Sequence, residues 1–257
     1  MSELREAVRS RYGAAARQLA VLASAGADLA PGCCGGDGPD CGCAGAYEAA
    51  ELHAVGLTDA VSLGCGNPVI LAELRPGEIV LDLGSGGGLD VLLAARRVAP
   101  DGHVYGVDMT DEMLELANRN KVRAGVKNAT FLRGTIEQVP LPDHAIDVVV
   151  SNCVINLAED KGAVIREAFR VLKPGGRLAV SDMVELRPLA AATKKELDAW
   201  ASCIAGTIPV DDYHRLLMEA GFDAPDIEVT GEQRAGGVAG AIGSASIRAV
   251  KPPRQRS

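Results

Sequence analysis

The stretch VLDLGSGGGLDVLLAARRV, residues 80–98, decides the fold of this chain. Its first residues form a short apolar run that is typical of a buried β-strand. The glycine-rich residues 84–88 interrupt the strand, because glycine turns tightly and allows positive φ. From Leu89 onward the apolar residues recur at helical spacing, which predicts an α-helix. This order predicts a site for a nucleotide-like ligand, held by free backbone N–H groups where the helix begins.

The glycine spacing argues against a dinucleotide ligand. The dinucleotide pattern requires Gly or Ala three residues after the second glycine, and Leu89 stands there. The chain instead reads D-x-G-x-G-x-G from Asp82 to Gly88. An acid two residues before the first glycine would repel a pyrophosphate and attract a cationic group. The pattern resembles the first motif of the class I S-adenosylmethionine methyltransferases, whose cofactor carries a sulfonium and an amino group but no phosphate.

Strands alternate with helices along the chain, which predicts an α/β fold with a doubly wound, mostly parallel sheet. Further strands are expected over residues 103–108, 129–133, 146–150 and 177–181. Helices are expected over 3–23, 47–55, 111–125, 160–172, 193–205 and 211–220, with a turn at 173–176. Residues 227–230 and 244–250 form two candidate closing strands, with a mobile glycine-rich loop over 235–243. We divide the chain into an N-terminal helix and Cys-rich loop (1–60), a cofactor-binding domain (61–182) and a small C-terminal α+β part (183–257).

Composition limits the possible functions. The 257 residues suit one large α/β domain with a small appendage, and the 47% of apolar residues can form a sizeable core. No apolar run reaches the length of a membrane span, and the charged N-terminal stretch lacks the apolar core of a signal peptide. We therefore expect a cytoplasmic, monomeric protein that does not act at a membrane. The net charge of −8, without a basic stripe, argues against nucleic acid as a partner.

The seven cysteines are many for a cytoplasmic protein. An odd number in a reducing compartment disfavours a disulfide framework and favours metal binding, catalysis or burial. Four of them lie in a Gly- and Pro-rich loop over residues 31–46: Cys33, Cys34, Cys41 and Cys43. Their spacing is not that of a zinc finger, so a flexible thiol-bearing loop and a site for a thiophilic ion both remain open.

The predicted ligand site lies at the carboxyl ends of the strands, where open α/β sheets bind their ligands. Asp108 follows Gly88 by 20 residues, at the position where nucleotide folds place the carboxylate that binds ribose hydroxyls. Asn152 and Cys153 follow the carboxyl end of the fourth strand, at the same edge. A cysteine is therefore expected beside the reactive end of the ligand.

Six segments together resemble the bacterial arsenite methyltransferases: SLGCGNP, VDMT, GTIEQVPLPD, SNCVINL, KPGGRLAVSD and W-x-x-C-I-x-G. The resemblance extends from about residue 5 to about residue 223. Its most specific parts are SNCVINL and the segment with Trp200 and Cys203, because most small-molecule methyltransferases lack both cysteines. The resemblance implies an S-adenosylmethionine-dependent enzyme that methylates trivalent, thiol-conjugated arsenicals in arsenic detoxification. It also implies a thiol reductant of the glutathione or thioredoxin type.

The resemblance also implies roles for individual residues. The methionine end of the cofactor would be held by Asp82, Gly84, Ser85 and Gly86, the ribose by Asp108 and Met109, and the adenine side by Thr135, Ile136 and Glu137. We count Asn152, at the same edge, among the cofactor-binding residues. Cys65, Cys153 and Cys203 would bind arsenic and be catalytic. The family has a further upstream cysteine in its thiol relay, and here Cys33, Cys34, Cys41 and Cys43 all remain candidates.

The chemistry of arsenic agrees with this assignment. Trivalent arsenic is soft and prefers thiolate ligands. Three thiolates leave it pyramidal, with a lone pair that can attack a sulfonium methyl group without a general base. The protein would contribute positioning and the exclusion of water.

Two other functions remain open. A methyltransferase for a carbon or oxygen acceptor, such as a quinone precursor, explains the sheet and the glycine loop but gives Cys65, Cys153 and Cys203 no purpose. A non-enzymatic, thiol-based metalloid or zinc-binding protein explains the cysteines but gives Asp82 and Asp108 no purpose.

Overall fold

The computed structural model describes residues 2–25, 47–55, 57, 66–189, 194, 204–235 and 238–254. The cysteine-rich loop, most of the predicted helix over 193–205, Cys65 and Cys203 lie outside the described residues. Expectations about them therefore stay predictions.

Seven strands form one sheet in the order β3-β2-β1-β4-β5-β7-β6. The first five strands are parallel, whereas β7 runs antiparallel to β5 and β6 antiparallel to β7. The predicted α/β class with a mostly parallel, doubly wound sheet is confirmed. The strands are β1 (Ile79–Leu83), β2 (His103–Asp108), β3 (Ala129–Arg133), β4 (Ile146–Asn152), β5 (Leu172–Glu185), β6 (Asp223–Ala235) and β7 (Val238–Val250).

Helices connect and cover the strands, as the sequence pattern predicts. They are α1 (Glu3–Ala25), α2 (Ala49–Ala54), α3 (Pro68–Leu71), α4 (Leu89–Val98), α5 (Asp111–Ala124), α6 (Lys161–Val171) and α7 (Val210–Ala220), with a 3₁₀ turn at Ile155–Leu157. The side chain of Asp160 caps α6 by accepting a hydrogen bond from the nitrogen of Ala163. Left-handed glycines, Gly125 and Gly221, end α5 and α7. No helix among these residues is both long and apolar enough to cross a membrane.

Apolar layers cover both faces of the sheet. Alternate residues of a strand point to opposite faces, so that Leu81 and Val149 join one apolar cluster and Val80 and Val148 join the other. All four side chains are fully buried. A parallel sheet buried on both faces explains the nearly continuous apolar runs of β1 and β4. It leaves the polar residues at the strand ends as the candidates for function.

The C-terminal strands are longer than the sequence pattern predicts. The loop expected over 235–243 is wrong for residues 238–243, which belong to β7. There Ile242 pairs with Glu185 and Gly243 with Val184 at the far end of β5. This pairing explains why a loop was expected. The hydrogen-bond partners lie in β5, far along the chain, and the local glycine-rich sequence does not indicate them.

The turn expected at 173–176 is also part of β5. The nitrogen of Gly175 donates to the carbonyl oxygen of Lys251, and the nitrogen of Lys251 donates to that of Gly176. These bonds tie the Pro-Gly-Gly segment to the chain that follows β7, so the backbone remains in the sheet ladder.

Candidate active site

One cavity lies above the carboxyl ends of β1, β2 and β4, where the sequence predicts the ligand. Ten of the predicted site residues line it: Gly84, Ser85, Gly86, Asp108, Met109, Thr135, Ile136, Glu137, Asn152 and Cys153. Asp82 is not among the lining residues, since it is buried in β1 behind them. The structure thus brings together the predicted residues from four separate strand ends.

The glycine loop approaches its neighbours too closely for side chains. Gly84 has a φ of 71°, and a Cβ there would overlap with the side chain of Val154. Gly88 has a φ of 85°, and a Cβ there would lie 2.6 Å from the ring of Phe131. Both features require glycine, so the loop can pass tightly between β1 and α4.

The N–H groups of Gly84, Ser85 and Gly86 already have acceptors within the protein, whereas the sequence predicts free N–H groups in this glycine turn. The nitrogens of Gly84 and Ser85 donate to the carbonyl oxygen of Val107 at 2.8 and 2.9 Å. The nitrogen of Gly86 donates to a carboxylate oxygen of Asp108 at 3.0 Å. The cause is that β2 extends beside the loop and supplies these acceptors. Such a loop does not offer the array of N–H donors that a phosphate requires.

Three carboxyl groups lie near one another at the cavity: those of Asp90 and half-buried Asp108 line it, and that of Asp82 is buried behind them. Burial raises the pKa of Asp82 well above its usual range, and the nearby charges of Asp90 and Asp108 raise it further. Burial also raises the pKa of Asp90 to about 6, although hydrogen bonds from Tyr47 and Asn152 oppose the rise. A concentration of carboxyl groups in a dry site attracts a cation and repels an anion. The charge of the site therefore fits a sulfonium or ammonium group.

Asp108 is held in a fixed orientation at the end of β2. Burial raises its pKa, and hydrogen bonds from Thr110 and Gly86 counteract the effect. One carboxylate oxygen accepts from the nitrogen and the hydroxyl of Thr110 at 2.9 and 2.7 Å. The carboxylate therefore has a defined position on the cavity wall, as a contact with a hydroxyl group requires.

Helix α1 closes the outer side of the cavity. Val8 and Tyr12 on this helix line the cavity, and Tyr12 packs against a cluster with Met113 and Leu116 of α5. Arg5 also lines it and forms an ion pair with Glu137 at 2.8 Å. The predicted adenine-side residue Glu137 is therefore linked to the helix that covers the site.

Asn152 lines the cavity, and its carboxamide makes several contacts with the protein. The Nδ2 atom donates to the carbonyl oxygen of Gly66 at 2.8 Å and to the hydroxyl of Tyr47 at 2.9 Å. It also lies 3.3 Å from an oxygen of Asp90, and the nitrogen of Gly66 donates to Oδ1 at 3.3 Å. The Tyr47 hydroxyl in turn donates to Asp90 at 2.6 Å. These contacts connect the end of β4 with two distant segments.

Cys153 follows β4 directly and has an unusual backbone. Its φ is 57°, a left-handed value that is uncommon for residues other than glycine. Only 2% of the residue is exposed, and it packs in a cluster with Met183, Leu189 and Ile242. The sulfur is disulfide-bonded. The strained backbone holds a buried cysteine at the edge of the cavity.

A buried carboxyl group in β5, that of Asp182, contacts the turn that follows Cys153. Asp182 is fully buried, and burial raises its pKa to about 7 despite the nearby charge of Lys161. Its carboxylate accepts hydrogen bonds from the side-chain and main-chain nitrogens of Asn156 at 2.7 and 3.2 Å. The group fixes the 3₁₀ turn that follows Cys153.

Several residues of the site were not predicted from the sequence. Asp90 lies in the first turn of the apolar helix α4. A charged residue on the buried face of a helix is unusual, and this signal could have identified it from the sequence. Arg5, Tyr47 and Asn120 gave no local signal, because they reach the site from other elements. Within the described part of the chain, no three His, Cys, Asp or Glu side chains form a metal-binding group.

Comparisons with known proteins agree with the cavity and the sheet. A family model described as a methyltransferase domain matches residues 74–221. An arsenite methyltransferase of Halobacterium salinarum is 42% identical over 240 residues, which cover 88% of this chain and 59% of the relative. The ubiquinone/menaquinone biosynthesis C-methyltransferase of Vibrio campbellii is 38% identical over 130 residues, or 49% of each chain. The chain spans only about half the length of these relatives.

A solved structure extends the comparison to the fold. The crystal structure of an arsenic(III) S-adenosylmethionine methyltransferase from Chlamydomonas reinhardtii is similar with a TM-score of 0.65 and 37% identity. The match covers 76% of this chain and 69% of that chain.

Proposed function

Because the chain belongs to the class I S-adenosylmethionine-dependent methyltransferases, and because a buried cysteine stands at the wall of its cavity, we propose that it methylates trivalent arsenic. The observation that carries the proposal is the position of Cys153. It directly follows Asn152 at the end of β4 and lines the same cavity as Gly84 and Asp108. A thiolate there would hold a soft substrate beside the cofactor.

The residues of the cavity fit S-adenosylmethionine, which supplies an electrophilic methyl group on a positively charged sulfur. The carboxyl groups of buried Asp82 and Asp90 and of half-buried Asp108 favour a cation. The loop of Gly84, Ser85 and Gly86 directs its N–H groups to protein acceptors, which suits a ligand without phosphate.

We assign the parts of the cofactor as the resemblance to the arsenite methyltransferases implies. Asp82 and the glycine loop would hold the methionine end, and Asp108 and Met109 the ribose. Thr135, Ile136 and Glu137 would hold the adenine side.

The chain's own thiolates would hold the arsenic atom. We propose Cys65, Cys153 and Cys203 as its ligands, with three thiolates for arsenite and two for methylarsenite, which carries a methyl group in place of one sulfur. The lone pair of arsenic would form the bond to the methyl group, and the electrons of the broken carbon–sulfur bond would remain on the sulfur of S-adenosylmethionine. Methylation oxidises arsenic from the trivalent to the pentavalent state, so a thiol reductant such as glutathione or thioredoxin would return two electrons. The same reductant would reduce the disulfide at Cys153 before arsenic binds.

The experiment is a methylation assay with the purified protein. Arsenite and methylarsenite are incubated separately with S-adenosylmethionine and a thiol reductant, and the arsenic species are identified by mass spectrometry. We expect methylated products from both arsenicals. Their absence, with S-adenosylmethionine bound in calorimetry, would overturn the proposal. A role in arsenic detoxification, in the cytoplasm and as a monomer, stays a prediction.

A quinone-type C-methyltransferase is the second candidate. It is favoured by the 38% identity to the Vibrio campbellii enzyme over 130 residues. The same assay with a phenolic quinone precursor distinguishes the two functions. A methylated phenol without methylated arsenic would favour the second.

A further inference from the structure

We infer that Asn152 is a positioning residue that fixes two segments next to Cys153, rather than a contact of the cofactor. The inference rests on the proposed function, because the two segments adjoin the predicted arsenic-binding and thiol-bearing loops. Its structural basis is the carboxamide at the end of β4, which contacts Gly66 and Tyr47 across 86 and 105 residues of sequence.

Gly66 is held at two points. Its carbonyl oxygen accepts from Nδ2 of Asn152 at 2.8 Å, and its nitrogen donates to Oδ1 at 3.3 Å. A Cβ on Gly66 would lie 2.7 Å from the hydroxyl of Ser181, so the segment packs directly on β5. Cys65 immediately precedes Gly66 in the sequence. Because adjacent Cα atoms are about 3.8 Å apart, fixing Gly66 fixes one end of the segment that carries Cys65.

Tyr47 forms the second contact. Its hydroxyl accepts from Nδ2 of Asn152 at 2.9 Å and donates to Asp90 at 2.6 Å. Tyr47 directly follows the cysteine-rich stretch over residues 31–46 in the sequence. The same carboxamide therefore also holds the residue that follows this thiol-bearing stretch.

The network fixes the orientation of the carboxamide. Three acceptors lie within 3.3 Å of Nδ2, from Gly66, Tyr47 and Asp90, and the nitrogen of Gly66 faces Oδ1. A carboxamide nitrogen has two hydrogens, and these protein acceptors are sufficient to engage both. This role differs from the cofactor contact that the sequence predicted for Asn152.

The test uses Asn152→Ala in the full chain, with Tyr47→Phe as a milder second variant. Asn128→Ala is the matched control, because Nδ2 of this half-buried residue also donates to two carbonyl oxygens, those of Ala95 and Gly102, at 2.8 and 3.1 Å. X-ray absorption measures the number of sulfur ligands on bound arsenite. Alkylation of the reduced proteins, followed by mass spectrometry, measures the reactivity of Cys65 without arsenic.

We expect Asn152→Ala to lower the sulfur number from three to two and to slow arsenite methylation about tenfold, as the loss of several hydrogen bonds allows. At pH 8, where Asp90 with its pKa of about 6 is ionised, methylarsenite methylation and S-adenosylmethionine affinity should remain within about twofold of wild type. Cys65 should be alkylated faster. Tyr47→Phe should show the same pattern more weakly, and Asn128→Ala should match wild type.

Three sulfur ligands in both wild type and Asn152→Ala, with unchanged alkylation of Cys65, would overturn the inference alone. A tenfold loss of S-adenosylmethionine affinity in Asn152→Ala, or an equal loss with both arsenicals, would also overturn it and restore the cofactor contact. Absence of arsenic–sulfur coordination in the wild-type protein would instead contradict the proposed function. Faster alkylation of Cys65 in Asn152→Ala than in wild type would then still support the positioning role, and equal rates would contradict it.

Discussion

The main-chain nitrogen of Cys153 donates a hydrogen bond to the carbonyl oxygen of Ser181 at 2.8 Å. This bond follows the last residue pair of the β4–β5 ladder, Asn152 with Ser181. The left-handed φ of 57° then turns the chain out of the sheet. Both strands thus fix the cysteine at the cavity edge.

Replacing Cys153 with serine should abolish methylation of both arsenite and methylarsenite. The substitution exchanges a soft sulfur for a hard, protonated oxygen, so we expect activity to fall roughly hundredfold or more. Product formation is measured for each substrate, and S-adenosylmethionine binding is checked by calorimetry. Cys203→Ser should behave like Cys153→Ser, whereas Cys65→Ser should lose activity with arsenite only.

The control for this series is Met183→Leu. Met183 packs in the same cluster as Cys153, and leucine has a similar volume without providing a thiolate, so activity should persist. Full activity of Cys153→Ser with methylarsenite would contradict the arsenic assignment and favour the quinone-type function.

Replacing Asp108 with alanine should weaken S-adenosylmethionine binding. Hydrogen bonds to a charged group contribute about 1.5–3 kcal/mol, so affinity should fall by more than about tenfold. Calorimetry measures the dissociation constant. Asp111→Ala is the control, because it removes the same charge from an exposed side chain that pairs with Arg133. Equal affinities of the two variants would refute the ribose assignment.

The affinity for S-adenosylmethionine should rise with pH. Burial raises the pKa of Asp90 to about 6, so this carboxyl group loses its proton as the pH increases through that value. The deprotonated group attracts the sulfonium, and we expect an increase of about tenfold between about pH 5.5 and pH 8. S-adenosylhomocysteine lacks the sulfonium charge and should show a smaller increase. Calorimetry measures the dissociation constants of both ligands at several pH values. If the carboxyl groups play no part, the affinities of the two ligands should change with pH to the same extent.

The buried carboxyl group of Asp182 should make the folded state less stable as the pH rises. Burial raises its pKa from 3.8 to about 7, so between these values the folded protein binds more protons than the unfolded one. The free energy of unfolding should therefore fall, by up to about 1.4 kcal/mol per pH unit from this group. Urea unfolding at several pH values measures the slope. Asp182→Asn should flatten it, and an unchanged slope in this variant would contradict the assignment.

Much of the site could be placed from the sequence because it sits on strand ends. Gly84, Asp108, Ile136 and Cys153 each follow a recognisable apolar strand, and parallel strands bring their carboxyl ends to one edge. The expectation of a free N–H group was wrong for Gly84, because its acceptor is the carbonyl oxygen of Val107 in β2. Val107 lies outside the segment of residues 80–98 that predicts the glycine turn.

Local sequence determined where the seven strands lie, though not how far β5, β6 and β7 extend. It also determined most helices and the acids Asp82 and Asp108, because side-chain periodicity and glycine spacing act over a few residues. Only the tertiary structure decided which distant groups meet. Asn152 contacts Gly66 and Tyr47, Arg5 pairs with Glu137, and Ile242 extends the sheet opposite Glu185. Such contacts depend on the packing of whole elements against one another, and packing leaves no periodic trace in either segment alone.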